Sequence, residues 1–317
     1  MPRFPFGLCD LHCDTLYELP KSSADLHNQT QHISFDRVSD FARYTQVMAF
    51  WSNVYRSDDE CYDTFWENYR YAQRCLEKHP EIALCKTATE LVGARREGKQ
   101  SIVLAVEGGN LLSSDLTRLH ALWDAGVRLM TLVWGKQSRM GGAHDVGGGL
   151  SPFGISVLKE MLSIGMIPDV SHASREIFYQ VAANADMANR PFIATHSNAY
   201  AKRAHTRCLD DEQFEMIRRA GGVVGVSLCI PHLCDGESCD VACVVDHIEH
   251  YLSLGGEKTV CLGCDLDGIG SLPDGMTGVE SMGMIAEEML SRNYKESLVA
   301  DIFENNAIAF LMEHLPK

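Results

Sequence analysis

Positive charge is scarce in this chain. Its 317 residues carry 28 Lys and Arg against 43 Asp and Glu, a net charge of -15, so nucleic acid or an anionic membrane surface would be repelled as a main partner. Also missing is any apolar run near the 18 residues that a bilayer span requires. Met1 to Gly7 hold one Arg and two Pro but no apolar h-region, and Phe310 to Lys317 lack the hydrophobic tail of a lipid-anchor signal. The expected location is cytoplasmic, with no membrane and no nucleic-acid partner. No GxGxxG follows the first apolar run, which removes the best support for a dinucleotide-binding open sheet. Fixed-period repeats and low-complexity tracts are absent. Cysteine is plentiful, at 12, but only Cys261 and Cys264 form a CxxC pair, and a zinc ribbon needs a second one. The expectation is reduced thiols packed as small hydrophobes.

What is present reads as a globular enzyme. Hydrophobic residues make up 45% and charged residues 22%, enough for a sizeable core. Short apolar, β-branched runs recur at 7–13, 46–51, 101–106, 127–133, 166–170, 192–195, 222–227 and 259–263. Amphipathic stretches near 59–78, 115–125, 151–164, 175–183, 210–220 and 241–254 alternate with them, and two more follow near 279–291 and 295–313. Continuous apolar strands fit a parallel sheet covered on both faces. Eight such units without a linker predict an α/β protein, one (β/α)8 TIM barrel over residues 1–317 with C-terminal helices.

Polar residues gather at the ends of these runs. The first runs into Asp10-Leu11-His12-Cys13-Asp14, and alternation puts His12 and Asp14 on one face. The third ends in Val106-Glu107-Gly108-Gly109, the fifth in Asp169-Val170-Ser171-His172, the sixth in Ala194-Thr195-His196-Ser197, and the eighth in Gly263-Cys264-Asp265-Leu266-Asp267-Gly268. Alone, a His at a strand end is a hydrogen-bonded turn residue and Asp before Gly is a turn. Together, three His, one Glu and two Asp converge on the face where barrel active sites are built. Imidazole and carboxylate suit zinc, and also manganese, iron or cobalt. The set is large enough for two metals sharing a carboxylate, an arrangement suited to activating water.

These residues resemble the membrane dipeptidase (renal dipeptidase) family, peptidase family M19, in the same order over nearly the whole chain. Gly149-Leu150-Ser151-Pro152-Phe153-Gly154, Thr195-His196-Ser197-Asn198 and His205-Thr206-Arg207 add to the match. The resemblance implies a barrel carrying two Zn2+, with His12 and Asp14 on one ion, His172 and His196 on the other, and Glu107 bridging. It implies that a metal-bridging hydroxide attacks the peptide bond of a small dipeptide, including ones with a C-terminal D-residue. Asp265 would then act catalytically in proton transfer, and Arg207 would hold the substrate carboxylate, a task for which Lys is a poor substitute. A surface salt bridge is the alternative for Arg207.

One departure bears on the substrate. Where the family has Thr-Leu-Thr-His, this chain has Thr131-Leu132-Val133-Trp134. Trp134 closes the pocket as an apolar wall or packs as a core or rim aromatic, and His144 offers a replacement imidazole for substrate binding. Cys208 also stands where Asn commonly follows the Arg. The competing readings are a metal-dependent hydrolase of another small amide, ester or lactone, and a catalytically silent metal-binding protein. No lysine suited to carbamylation ends the fourth run, since Lys136 lies two residues past Trp134. A homodimer is the default expectation for such a barrel.

Overall fold

The computed structural model describes residues 2–236 and 238–317. Eight parallel strands form within them: β1 (Leu8–Cys13), β2 (Tyr44–Trp51), β3 (Ile82–Leu84), β4 (Gln100–Glu107), β5 (Val127–Thr131), β6 (Ile167–Asp169), β7 (Val224–Val226) and β8 (Val260–Leu262). The main path runs β6-β5-β4-β2-β1-β8-β7, with β3 pairing beside the start of β4. Bridges from Asp169 to Ile193 and from Ala194 to Val224 close the ring. The expected strand at 192–195 therefore survives as two bridged residues. Close approach sets its geometry: a Cβ on Gly225 would stand 2.0 Å from the Thr195 carbonyl oxygen, and one on Gly263 1.7 Å from it. Both positions must be glycine for this stave to fit.

The helices begin at strong caps. Ser57 and Glu60 form a capping box at Asp58–Lys78, as do Thr87 and Glu90 at Ala88–Arg96, and Asp210 and Gln213 at Asp211–Arg219. Ser151 caps Pro152–Ile164, with proline at the first turn where no N–H is needed. Helix Ala88–Arg96 and β3 were not anticipated, nor was Thr15–Ser22, which carries Pro20. The expected helix at 295–313 is broken into Glu296–Ala300, a π-turn over Asp301–Asn305, and Asn306–His314.

Two apolar shells result. Met48, Phe50, Ile102, Leu104 and Val106 face the surrounding helices, where Phe50 packs edge-on against Phe65 at 4.9 Å. Val47, Ala49, Val103, Ala105, Leu129 and Ile167 fill the barrel interior. Strand register stacks the interior in rungs. Ala49 pairs with Ala105, Ala105 with Leu129 and Leu129 with Ile167; one rung higher come Trp51, Glu107, Thr131 and Asp169. The core thus ends in Ala49, Ala105, Leu129 and Ile167 directly beneath a rung with three polar members. The opposite end is closed around Glu304 of the π-turn. Its buried carboxylate accepts from Gly7 N at 2.6 Å, from Arg43 Nε and Nη2 at 2.6 Å each, and from Arg95 Nη2 at 2.6 Å.

Candidate metal centre

The polar rung opens into the mouth at the C-terminal ends of the strands. Glu107 enters it by the alternation that buries Val103 and Ala105. His12 enters because β1 slips register between Asp10 and Cys13. Cys9 and Leu11 lie in the interior shell and Cys13 in the outer one, so strict alternation would turn His12 outward. The bulge turns it in, a common way of re-aiming a functional side chain. Asp10 holds the bulge, its Oδ1 accepting from His12 N and Cys264 N at 3.0 Å each. His172 and Asp265 adopt left-handed backbone at φ 68° and 62°, conformations that a non-glycine residue occupies at a cost and mostly at functional sites.

These elements bring six side chains together. Glu107 Oε1 lies 2.9 Å from His172 Nε2, 3.2 Å from His196 Nε2 and 3.6 Å from His12 Nε2. His12 Nε2 is 3.5 Å from Asp14 Oδ2 and 3.9 Å from Asp265 Oδ1. The Nε2 atoms of His172 and His196 face each other at 3.0 Å, close to the roughly 3.3 Å edge of a tetrahedron with about 2.0 Å metal–nitrogen bonds. The donors fall into three overlapping groups, His12-Asp14-Glu107, Glu107-His172-His196 and His12-His196-Asp265.

Orphaned polar atoms and charge support a cation here. His12 Nε2 and Asp14 Oδ1 are buried without a hydrogen-bond partner, a costly state that coordination relieves. Burial, reinforced by the Asp14 charge, raises the Glu107 carboxyl well above its usual range. Burial likewise lifts Asp265 to about 7, with His12 and Arg207 opposing and Asp14 adding. Burial pulls His12 down, yet Glu107, Asp14 and Asp265 outweigh it and hold the imidazole at about 10. His172 and His196 are pushed low by burial and by neighbouring positive charge, so both stay neutral with lone pairs free. Crowded carboxylates around His12, beside two neutral imidazoles, form a donor set that suits a divalent metal. Gly268 leaves them room: its Cβ would stand 2.2 Å from Asp14 Oδ2 and 2.5 Å from Asp265 Oδ1.

Around this centre lies a cavity of about 360 Å3. Arg207 reaches it fully buried, donating to His196 O at 3.2 Å and Ser197 Oγ at 3.5 Å, with Nε unpartnered. A surface salt bridge is not what Arg207 makes, because its guanidinium is buried inside the mouth on neutral acceptors. Trp134 lines the cavity and packs edge-on against Trp51 at 4.9 Å, with Tyr55 beyond it. His144 also lines it, its Nδ1 2.9 Å from Thr206 Oγ1, and burial beside Arg207 lowers it to about 4. Asp169 is consumed elsewhere, accepting from Ser171 N and Thr195 N at 2.8 and 3.0 Å.

Trp51, Tyr17 and His232 of the cavity were missed. Trp51 ends β2 and shares the rung of Glu107, so the strand-end argument applied to it equally. His232, pushed to about 2 by burial and Arg207, sits in the short helix Ile230–Leu233 with no motif to announce it.

Comparison with known proteins agrees with this geometry. Residues 4–314 match the model of the membrane dipeptidase family, peptidase family M19. An uncharacterized Klebsiella pneumoniae protein from the pqqA 5′ region is 29% identical over 78% of this chain and 95% of its own length. Rat Dipeptidase 3 is 26% identical over 96% of this chain, which spans 64% of that protein's length. The fold is shared with a Rhodobacter sphaeroides metallo peptidase solved with a phosphinate mimic of L-Ala-D-Ala, at TM-score 0.89 and 23% identity over 98% of this chain and 99% of the other. A second metallo peptidase of family M19, dipeptidase AC, overlays at TM-score 0.88 and 24% identity, covering 98% of both chains. The chain belongs to the membrane dipeptidase family, peptidase family M19, and by family it is a metal-dependent peptidase.

Proposed function

We propose that this chain hydrolyses small dipeptides at a binuclear zinc centre, with His12 and Asp14 holding one ion, His172 and His196 the other, and Glu107 shared between them. The observation that carries the reading is Glu107 Oε1 within 3.6 Å of three imidazole nitrogens. When bound, the cations supply an activated water and Lewis acidity at the scissile carbonyl. The chain's own residues do the rest. Arg207 pairs with the substrate carboxylate in a bidentate, always-charged contact. Asp265, at the edge of the cluster and facing the cavity, accepts a proton from the attacking water and passes it to the leaving amine. Trp51 and Trp134 form an aromatic wall for the substrate side chain, and neutral His144 offers a hydrogen bond at the opposite side.

Tolerance of a C-terminal D-residue is part of the proposal, supported by the L-Ala-D-Ala mimic bound to the Rhodobacter relative. So is a cytoplasmic location, supported by all 12 cysteines being free thiols.

The test is hydrolysis of L-L, L-D and N-acetylated dipeptides by zinc-loaded protein beside a chelated control. Chelator-sensitive cleavage of the free dipeptides alone is expected. A protein that retains two metals and cleaves none of them would move the assignment to another small amide, ester or lactone.

A further inference from the structure

Away from the barrel mouth, three ligand-type side chains meet where the segment 23–43 crosses the end of helix Asp58–Lys78. His27 comes from that segment, His79 caps the helix, and Glu81 leads into β3. Glu81 Oε1 stands 3.0 Å from His79 Nδ1 and 3.4 Å from His27 Nε2, and the imidazole centroids are 4.2 Å apart. The three donor atoms lie within 4.8 Å of one another. The two separations from Glu81 match the roughly 3.3 Å between neighbouring ligands of a tetrahedral ion bound at about 2.0 Å.

A second observation points the same way. His79 Nε2 lies 3.1 Å from Asp25 Oδ1. Asp25 is itself fixed, accepting from Lys78 Nζ at 3.0 Å and Leu26 N at 2.8 Å. Asp25 there accepts a hydrogen bond from Nε2–H, so the lone pair of His79 sits on Nδ1 and faces Glu81 and His27. A carboxylate that sets the tautomer from behind is the usual outer support of a metal-bound histidine. Side-chain exposures of 35% for His27 and 48% for Glu81 leave water room to complete the coordination.

We propose that His27 Nε2, His79 Nδ1 and Glu81 Oε1 form a peripheral site for a divalent transition cation of the zinc type, with Asp25 as its positioning residue. Two nitrogens and one carboxylate oxygen select such an ion over calcium or magnesium, which prefer all-oxygen sites. The bound ion ties the segment 23–43 to the helix end. The same segment presents His32 N and Ile33 N to Asp267 at 2.5 and 3.3 Å, and Asp267 lines the main cavity. The peripheral ion thus anchors a segment whose other part leans on the active site. None of this depends on which substrate the central site takes.

The experiment is calorimetric Zn2+ titration with elemental analysis of the full chain, as wild type, His27→Ala, His79→Ala, Asp25→Asn and Glu107→Gln. Wild type should bind one equivalent more than either His variant, whatever the central stoichiometry. Asp25→Asn should keep that equivalent but hold it about 10–100-fold more weakly. Glu107→Gln should lose central metal while the peripheral equivalent stays, which separates failure of one site from failure of the other. Equal stoichiometry and affinity in wild type and both folded His variants would overturn the proposal. If an alanine variant does not fold, Glu81→Gln replaces it, and unchanged affinity there overturns the proposal equally.

Discussion

In the proposed mechanism Asp265 moves the proton and Arg207 holds the substrate, and each assignment has its own signature. Asp265 borders the cluster at 3.9 Å from His12 Nε2, near enough to serve the attacking water without being the shared ligand. Asp265→Asn is expected to keep its metal by elemental analysis while kcat falls about 10²–10⁴-fold; full activity in the variant would remove the proton-transfer role. Arg207 has neutral acceptors and an unpartnered Nε, so its charge is available to the substrate. Arg207→Lys should raise KM about 10–100-fold, the scale of a lost charged hydrogen bond of about 1.5–3 kcal/mol. The same variant should act almost as wild type does on dipeptide amides, which have no carboxylate to hold. Equal losses on both substrates would mean that Arg207 supports the loop and not the ligand.

At the scale of elements, the close approaches matter more than the helices. Gly268 follows β8 where a side chain would strike both Asp14 and Asp265. Gly268→Ala is expected to cut metal affinity sharply, because the added methyl displaces both carboxylates, while costing about 1–3 kcal/mol of stability. Metal titration beside a melting curve separates the two effects. Seven of the eight expected runs appear as strands, because an apolar run buried on both faces announces itself by composition alone. The run at 192–195 shrank because backbone, not side chains, fills its neighbours' space. The short β3 and the helix Ala88–Arg96 stayed hidden, three residues being too few for a period and a helix with Gly93 and two arginines too polar for one. The clustering of His12, Asp14, Glu107, His172, His196 and Asp265 was legible because strand ends are marked by turn chemistry. The bulge that aims His12 was not, since it is set by Asp10 bonding to Cys264, a contact between opposite ends of the chain.

At the scale of the whole molecule, Glu304 joins the two ends of the sequence beneath the barrel, binding Gly7 and Arg43 from one and Arg95 from between. Burial pushes its carboxyl up, but the two guanidiniums and the Gly7 N–H outweigh it and hold the group below its usual range. A depressed carboxyl stabilises the fold at pH above its ordinary value, and the contribution fades as pH falls through the lowered one. Glu304→Gln should cost about 1.5–3 kcal/mol at neutral pH, mostly by leaving the part-buried Arg95 without its charged partner, since Arg43 is open to water. Urea midpoints of wild type and variant should converge on acidification, and a constant gap would place the stability elsewhere. The rung of Trp51, Glu107, Thr131 and Asp169 carries a different lesson. A slip of one residue in any of these strands would turn its member of the rung to the outside: β2 would withdraw Trp51 from the aromatic wall, β4 would withdraw Glu107 from the candidate metal centre, and β5 or β6 would withdraw a loop support. Strand register and candidate site are therefore read together, and metal binding in solution would report on the alignment of β4 as well as on Glu107 itself.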